Sequence, residues 1–143
     1  MTFGNRLALI LLMPAGCAML AGQQAEFSSC SFEQVWDTSI AALGDLQLQS
    51  ADKAAGVLET QWVEVEGSRQ AGIFQRDVNK ERLKYVVEVK RDGAGTVATV
   101  LQLREEWSPM GVRMRQWRRM PGNAQEESTV AAEIARRLKE KGC

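Results

Sequence analysis

The sequence predicts an α+β domain in which an antiparallel sheet of about five to six strands carries two helices on one face. Two segments, one near each end of the domain, have apolar residues at helical spacing. The segments between them alternate apolar and polar residues, as half-buried strands do. Short turns rich in glycine and aspartate join these segments, and such hairpin connections imply antiparallel neighbours.

A short strand is predicted at residues 26–30 and the first helix at residues 32–43. Ser31 is a suitable N-cap, Gln34 three residues later completes a capping box, and Gly44 suits the position after the helix. The helix is amphipathic, with an apolar stripe of Phe32, Val35, Trp36, Ile40 and Leu43.

The next strands are predicted as a hairpin of residues 46–49 and 57–65, with a turn at residues 52–56. We assign Trp62 in its second strand, and Trp36 in the first helix, to the core because both lie on apolar faces. Residues 66–81 have no clear period, so their structure is left open.

A second hairpin is predicted from residues 83–90 and 97–107, and a last strand at residues 112–120. Asn123 then caps a second helix whose first turn is acidic and whose end is basic, which complements the helix dipole. Its apolar face consists of Val130, Ala131, Ile134, Ala135 and Leu138.

The N-terminal segment has the features of an export signal. Arg6 precedes an apolar run over residues 7–13, and small residues follow. Ala15-Gly16-Cys17 resembles the lipobox of bacterial lipoproteins, although Pro14 stands where that pattern usually has Leu. The resemblance implies a signal peptide at residues 1–16, a lipidated tether at residues 17–25 that starts at Cys17, and a single domain at residues 26–143.

Three alternatives for this segment remain open: an uncleaved membrane helix, cleavage by ordinary signal peptidase, and a buried N-terminal helix. The uncharged stretch at residues 7–22 is shorter than the ~20 residues that a spanning helix needs, and Pro14 interrupts it. In the lipoprotein family, the residue after the lipidated cysteine directs sorting. Ala18 is not Asp, so the resemblance implies a Gram-negative outer-membrane protein anchored by its lipid, with its domain in the periplasm.

Composition restricts the chemistry. The chain has no histidine, and it lacks the commonest general base and transition-metal ligand. Removing residues 1–16 takes away Arg6 and leaves 17 basic against 18 acidic residues, which gives no argument for a nucleic-acid partner. We expect no catalytic residues, no metal and no cofactor. Glu105 and Glu106 are adjacent in a strand and therefore point to opposite faces.

The remaining cysteines, Cys30 and Cys143, can form a disulfide in an oxidising compartment or stay as separate thiols. The sequence alone does not decide between these states.

One candidate binding surface lies on the last strand. Arg113, Arg115, Trp117 and Arg119 alternate, so they share one face, and Arg104 on the preceding strand extends it. Arginines around a tryptophan suit an anion, a phospholipid head group or the acidic segment of a partner. The structural alternative is a solvated sheet face whose charges prevent edge pairing.

Residues 32–62 resemble the start of a BamC (NlpB) domain, from a lipoprotein of the outer-membrane β-barrel assembly machinery. The resemblance rests on Val35-Trp36, Ala42-Leu43, the turn from Asp52 to Gly56, and the strand through Thr60 and Trp62. It implies a helix-grip fold and an envelope protein as a partner.

These features favour a non-enzymatic, membrane-anchored binding or scaffold module of the cell envelope, with a link to outer-membrane protein assembly. The alternative is a periplasmic domain that holds a small ligand or lipid in a cavity between the sheet and the C-terminal helix. An enzyme is disfavoured because no histidine and no convergent carboxylates are present to support one.

Overall fold

The computed structural model describes residues 22–67, 80–93, 95–108 and 116–143. Within these residues the fold is α+β, as predicted, with seven strands and two helices. The elements are β1 (Gln23–Phe27), α1 (Phe32–Leu43), β2 (Leu48–Asp52), β3 (Val57–Thr60), β4 (Val63–Glu66), β5 (Lys80–Asp92), β6 (Gly95–Ser108), β7 (Gln116–Met120) and α2 (Ala124–Glu140). The seventh strand arises because the stretch predicted as one strand at residues 57–65 forms β3 and β4.

All of the strand pairs are antiparallel, and the sheet is built around the long hairpin of β5 and β6. The strand order is β1-β6-β5-β3-β2, with β4 also on β5 and β7 also on β6. β1 and β7 therefore lie along the same edge of β6, β1 beside residues 96–100 and β7 beside residues 104–108.

Both helices contribute to one core on the same face of this sheet, which we call the helix face. Val87 of β5 and Val100 of β6 are fully buried there, opposite each other in the ladder. The core also contains Val35 and Trp36 of α1 and Ile134 of α2. Side chains alternate along each strand, so the intervening residues of β5 and β6 project from the other side, the open face.

The helices begin where the sequence predicts, because the predicted capping residues form hydrogen bonds with the first turn of each helix. The Ser31 hydroxyl accepts a hydrogen bond from the Gln34 backbone N–H at 3.2 Å, and the Gln34 side chain accepts one from the Ser31 N–H at 2.8 Å. At α2, the Asn123 side chain accepts from the backbone N–H groups of Gln125 and Glu126. These bonds satisfy N–H groups that the first turn leaves without partners.

The first two strands begin elsewhere than predicted. β1 is Gln23–Phe27 rather than residues 26–30, so residues 23–25, assigned to the tether, belong to the sheet. Its alternation allows this, because Ala25 and Phe27 face the helices while Gln24 and Glu26 are exposed. β2 runs from Leu48 to Asp52 rather than over residues 46–49, with a register irregularity between Leu48 and Ser50.

Several predictions lie outside the described residues. These are the signal peptide at residues 1–16, Cys17, most of the uncertain stretch at residues 66–81, and the beginning of the last predicted strand with Arg113 and Arg115. The described helices include none that is long and apolar enough to cross a membrane.

Candidate functional site

The predicted basic face is divided between the two sides of the sheet. Trp117 is opposite Trp107 in the β6–β7 ladder, and Arg119 is opposite Glu105, so both belong to the open face. Arg104 is opposite Met120 and lies on the helix face. Its assignment to the same surface as Trp117 and Arg119 was therefore wrong. Arg113 and Arg115 lie outside the described residues.

Arg104 has a different environment from the one predicted. Its guanidinium forms an ion pair at 2.5 Å with Glu81, which is only 3 % exposed and faces Glu106 across the hairpin. Glu106 in turn pairs with Arg118 at 2.6 Å. A buried carboxylate is costly unless it is paired, so these arginines neutralise acidic residues within the fold.

The open face instead carries a cluster of aromatic rings around a different arginine. The Arg82 guanidinium lies 4.6 Å from the ring centroid of Trp62 and 4.4 Å from that of Trp117. Trp107 packs edge-on against Trp117, with their ring centroids 5.4 Å apart. We call Trp62, Arg82, Trp107 and Trp117 the tryptophan–arginine cluster. It gathers three of the four tryptophans of the chain on the open face of the sheet.

Glu105 holds the central arginine of this cluster in place. It accepts hydrogen bonds from Arg82 Nε at 2.8 Å and from an Arg82 terminal nitrogen at 2.5 Å. The two residues are direct neighbours across β5 and β6, so the guanidinium is fixed within cation–π distance of both indoles. Cation–π contacts of this kind are worth about 0.5–2 kcal/mol each.

Trp62 reaches this cluster because of a β-bulge, and its assignment to the core was wrong. Glu59 of β3 is opposite Val86, and Val63 of β4 is opposite Leu83. Three residues lie between Glu59 and Val63, but only two lie between Leu83 and Val86 on β5. The extra residue reverses the alternation that an unbroken strand would have continued. Trp62 therefore projects from the open face and is only partly buried. The polar Gln61 beside it is a weak signal for the interruption.

The charges beside the cluster are largely paired. Lys84 forms an ion pair with Glu59 at 2.6 Å, and its ammonium also lies 5.5 Å from the ring centroid of Trp62. Arg119, which is exposed, lies on the same face. The described part of this surface is therefore mainly aromatic, with its cations held by neighbouring carboxylates.

A second polar cluster, on the helix face, connects α2 to the sheet. Gln102 is only 1 % exposed; its amide nitrogen donates to the Tyr85 hydroxyl at 3.0 Å and also to Glu126. Glu127 accepts from the backbone N–H of Gln102 at 2.9 Å, and the backbone N–H of Asn123 donates to the Gln102 side chain at 3.0 Å. The sequence predicts the cap at Asn123 and the acidic first turn of α2, but it does not predict this buried cluster.

This polar cluster has a structural function. Burial raises the pKa of the Tyr85 phenol above its usual range; the hydrogen bond from Gln102 opposes that change, and the negative charge of Glu126 adds to it. Tyr85 therefore stays neutral at physiological pH. Its hydroxyl donates to Glu126 at 3.2 Å, which fixes the first turn of α2 on the sheet.

The structure also places the adjacent glutamates and the two cysteines of the domain. Glu105 bonds Arg82 on the open face, whereas Glu106 bonds Arg118 on the helix face, so the prediction that they point to opposite faces is confirmed. Cys30 and Cys143 are at disulfide-bonding distance, with their Cα atoms 5.3 Å apart. The described residues contain no group of three or more His, Cys, Asp or Glu side chains arranged to hold a metal ion.

The small-ligand alternative requires a cavity between α2 and the sheet. On α2, Ile134 and Leu138 are 0 % and 1 % exposed, and they belong to the same cluster as Val100 and Ala98 of the sheet. Apolar contacts between α2 and the strands thus continue beyond the polar cluster at its first turn, and the small-ligand alternative stays a prediction.

Comparison with known proteins gives no relative: no protein-family model matches the sequence, and a search of curated proteins finds no significant match. The resemblance to BamC therefore stays a prediction.

Proposed function

We propose that this protein is a non-enzymatic binding module of the Gram-negative cell envelope. A lipid on Cys17 anchors it at the outer membrane, and its domain faces the periplasm. The open face of the sheet is its binding surface, and outer-membrane protein assembly is the process that the BamC resemblance indicates. The anchor is inferred from the lipobox-like residues Ala15-Gly16-Cys17.

One observation carries the proposal for the binding surface: Arg82 lies between the rings of Trp62 and Trp117 on the face opposite the helices. Tryptophan and arginine are among the residues enriched at binding hot spots, because they combine a large apolar area with directed polar groups. Both indoles are only partly buried. The alternative, a sheet face that is simply solvated, does not require clustered tryptophans around an arginine.

The anchor gives the first test. Cells that express the protein should incorporate an alkyne-bearing palmitate analogue into it, and Cys17→Ser should remove this label because the acyl-accepting thiol is lost. Labelling is measured by gel fluorescence after coupling to a dye. Cys143→Ser is the matched control and should keep the label. Equal labelling of Cys17→Ser and wild type would refute the anchor.

The binding face gives a second, independent test. A photo-activated cross-linker replaces Arg119, on the open face, or Thr129, on the exposed surface of α2. We expect covalent adducts with an envelope component at position 119 and at least fivefold fewer at position 129. Mass spectrometry of the adduct distinguishes a protein from a lipid. Adducts that form mainly from position 129 would contradict the assignment of the open face.

A further inference from the structure

The tryptophan–arginine cluster lies at the end of the sheet towards which the N-terminus of β1 points. β1 is antiparallel to β6, with Gln23 opposite Val100 and Phe27 opposite Thr96. The chain that precedes β1 therefore leaves in the direction in which β6 continues from Val100 towards Trp107. Arg82 and Trp107 lie at that end of the hairpin.

The length of the tether limits how far this end can be from the membrane. Gln23 is six positions after Cys17, so even a fully extended tether spans at most about 20 Å. Glu105, which holds Arg82, lies five residues beyond Val100 in β6, or about 17 Å at the usual rise of a strand. The two lengths are similar, so a lipid on Cys17 allows the cluster to contact the membrane surface.

The chemistry of the cluster suits the lipid head-group layer. Indole rings favour the membrane–water interface, where their apolar body contacts lipid and their N–H remains hydrated. Arginine on the same face can hydrogen-bond lipid phosphate, and Arg119 is the exposed arginine beside the cluster. The cations that are already paired, Arg82 and Lys84, are not needed for that contact.

We propose that the tryptophan–arginine cluster is a second membrane contact, in which Trp62, Trp107 and Trp117 lie in the phospholipid head-group region beside the lipid anchor. This inference rests on the proposed anchor at Cys17. Phospholipid is then the ligand of the open face at this end of the sheet. The acyl chains hold the protein on the membrane, and the contact sets the orientation of the domain. The high local concentration provided by the short tether makes even a weak contact effective.

Tryptophan fluorescence in vesicles tests this contact. The lipidated protein is purified from cells and reconstituted into vesicles of phosphatidylcholine and phosphatidylglycerol whose acyl chains carry bromine near the head groups. We expect these lipids to reduce the emission of wild type at least twofold relative to unbrominated vesicles. The variant Trp62→Phe, Trp107→Phe, Trp117→Phe keeps only the buried Trp36 and should show no reduction.

The outcomes separate this inference from the proposed function. Mass spectrometry of the same sample shows whether Cys17 is acylated. An acylated wild-type protein whose emission is unchanged by brominated lipid would overturn the membrane contact while leaving the anchor intact. If Cys17 is not acylated, the anchor fails, and a maleimide-bearing lipid coupled to the Cys17 thiol then repeats the test. Phenylalanine keeps an aromatic ring at each site, and circular dichroism checks that the variant is folded.

Discussion

Replacing Trp36 by alanine is expected to lower the free energy of unfolding by about 3–5 kcal/mol. Trp36 is 4 % exposed and stacks on Phe32, with ring centroids 6.0 Å apart. It lies in the same core as Val35 and Leu58. Its removal leaves a cavity that the surrounding side chains fill only in part, and a domain of this size is stable by only about 5–15 kcal/mol.

Trp62→Ala is the matched control for this prediction. It removes the same number of atoms, but from a partly buried ring on the open face. Urea unfolding of both variants, followed by circular dichroism, should give a clearly larger loss for Trp36→Ala. Equal losses would mean that Trp62 contributes to stability as a core residue does, which contradicts its position in the structure.

The contrast between these tryptophans shows what the sequence could predict. Helical spacing and a capping box predicted both ends of α1 correctly, and the buried position of Trp36 followed from that helix. The core assignment of Trp62 depended on unbroken alternation over residues 57–65. A single extra residue in a strand moves every later side chain to the opposite face. A bulge is stabilised by tertiary contacts, here including the hydrogen bond from the Tyr85 N–H to the Thr60 hydroxyl at 2.9 Å. Local periodicity contains no information about that contact.

The binding surface was only partly predictable for a similar reason. The alternation of Trp117 and Arg119 within one strand follows from backbone geometry, and the ladder confirms it. Whether Arg104 shares their face depends on the register between β6 and β7. The central cation is Arg82, from a region near the stretch without a clear period, and its position depends on pairings of β5 with β4 and β6. Long-range register of this kind cannot be read from spacing.

The pairing of Cys30 with Cys143 was also left open by the sequence, and it carries the second large expected effect. Reducing this bond should lower the free energy of unfolding by about 2–5 kcal/mol. The bond closes a loop with a sequence separation of 113 residues, so in the chain-entropy model it restricts most of the unfolded chain. In the folded state it fastens the end of α2 to the loop between β1 and α1. Cys30 is 5 % exposed there, and its carbonyl accepts a hydrogen bond from Thr96 at 3.1 Å.

Cys143→Ser isolates this contribution, because Cys143 lies at the partly exposed end of the chain and the change leaves the buried Cys30 in place. Urea unfolding of wild type should shift to lower denaturant when a reducing agent is added. The Cys143→Ser variant should unfold at that lower urea concentration whether or not the reducing agent is present. Cys17→Ser is the control and should behave as wild type does.

A wild-type transition that does not respond to reduction, together with three titratable thiols in unlipidated protein, would show that the cysteines are separate. The connection between α2 and the loop would then depend on side-chain packing and on backbone bonds such as that from the Cys143 N–H to the Leu138 carbonyl at 3.1 Å.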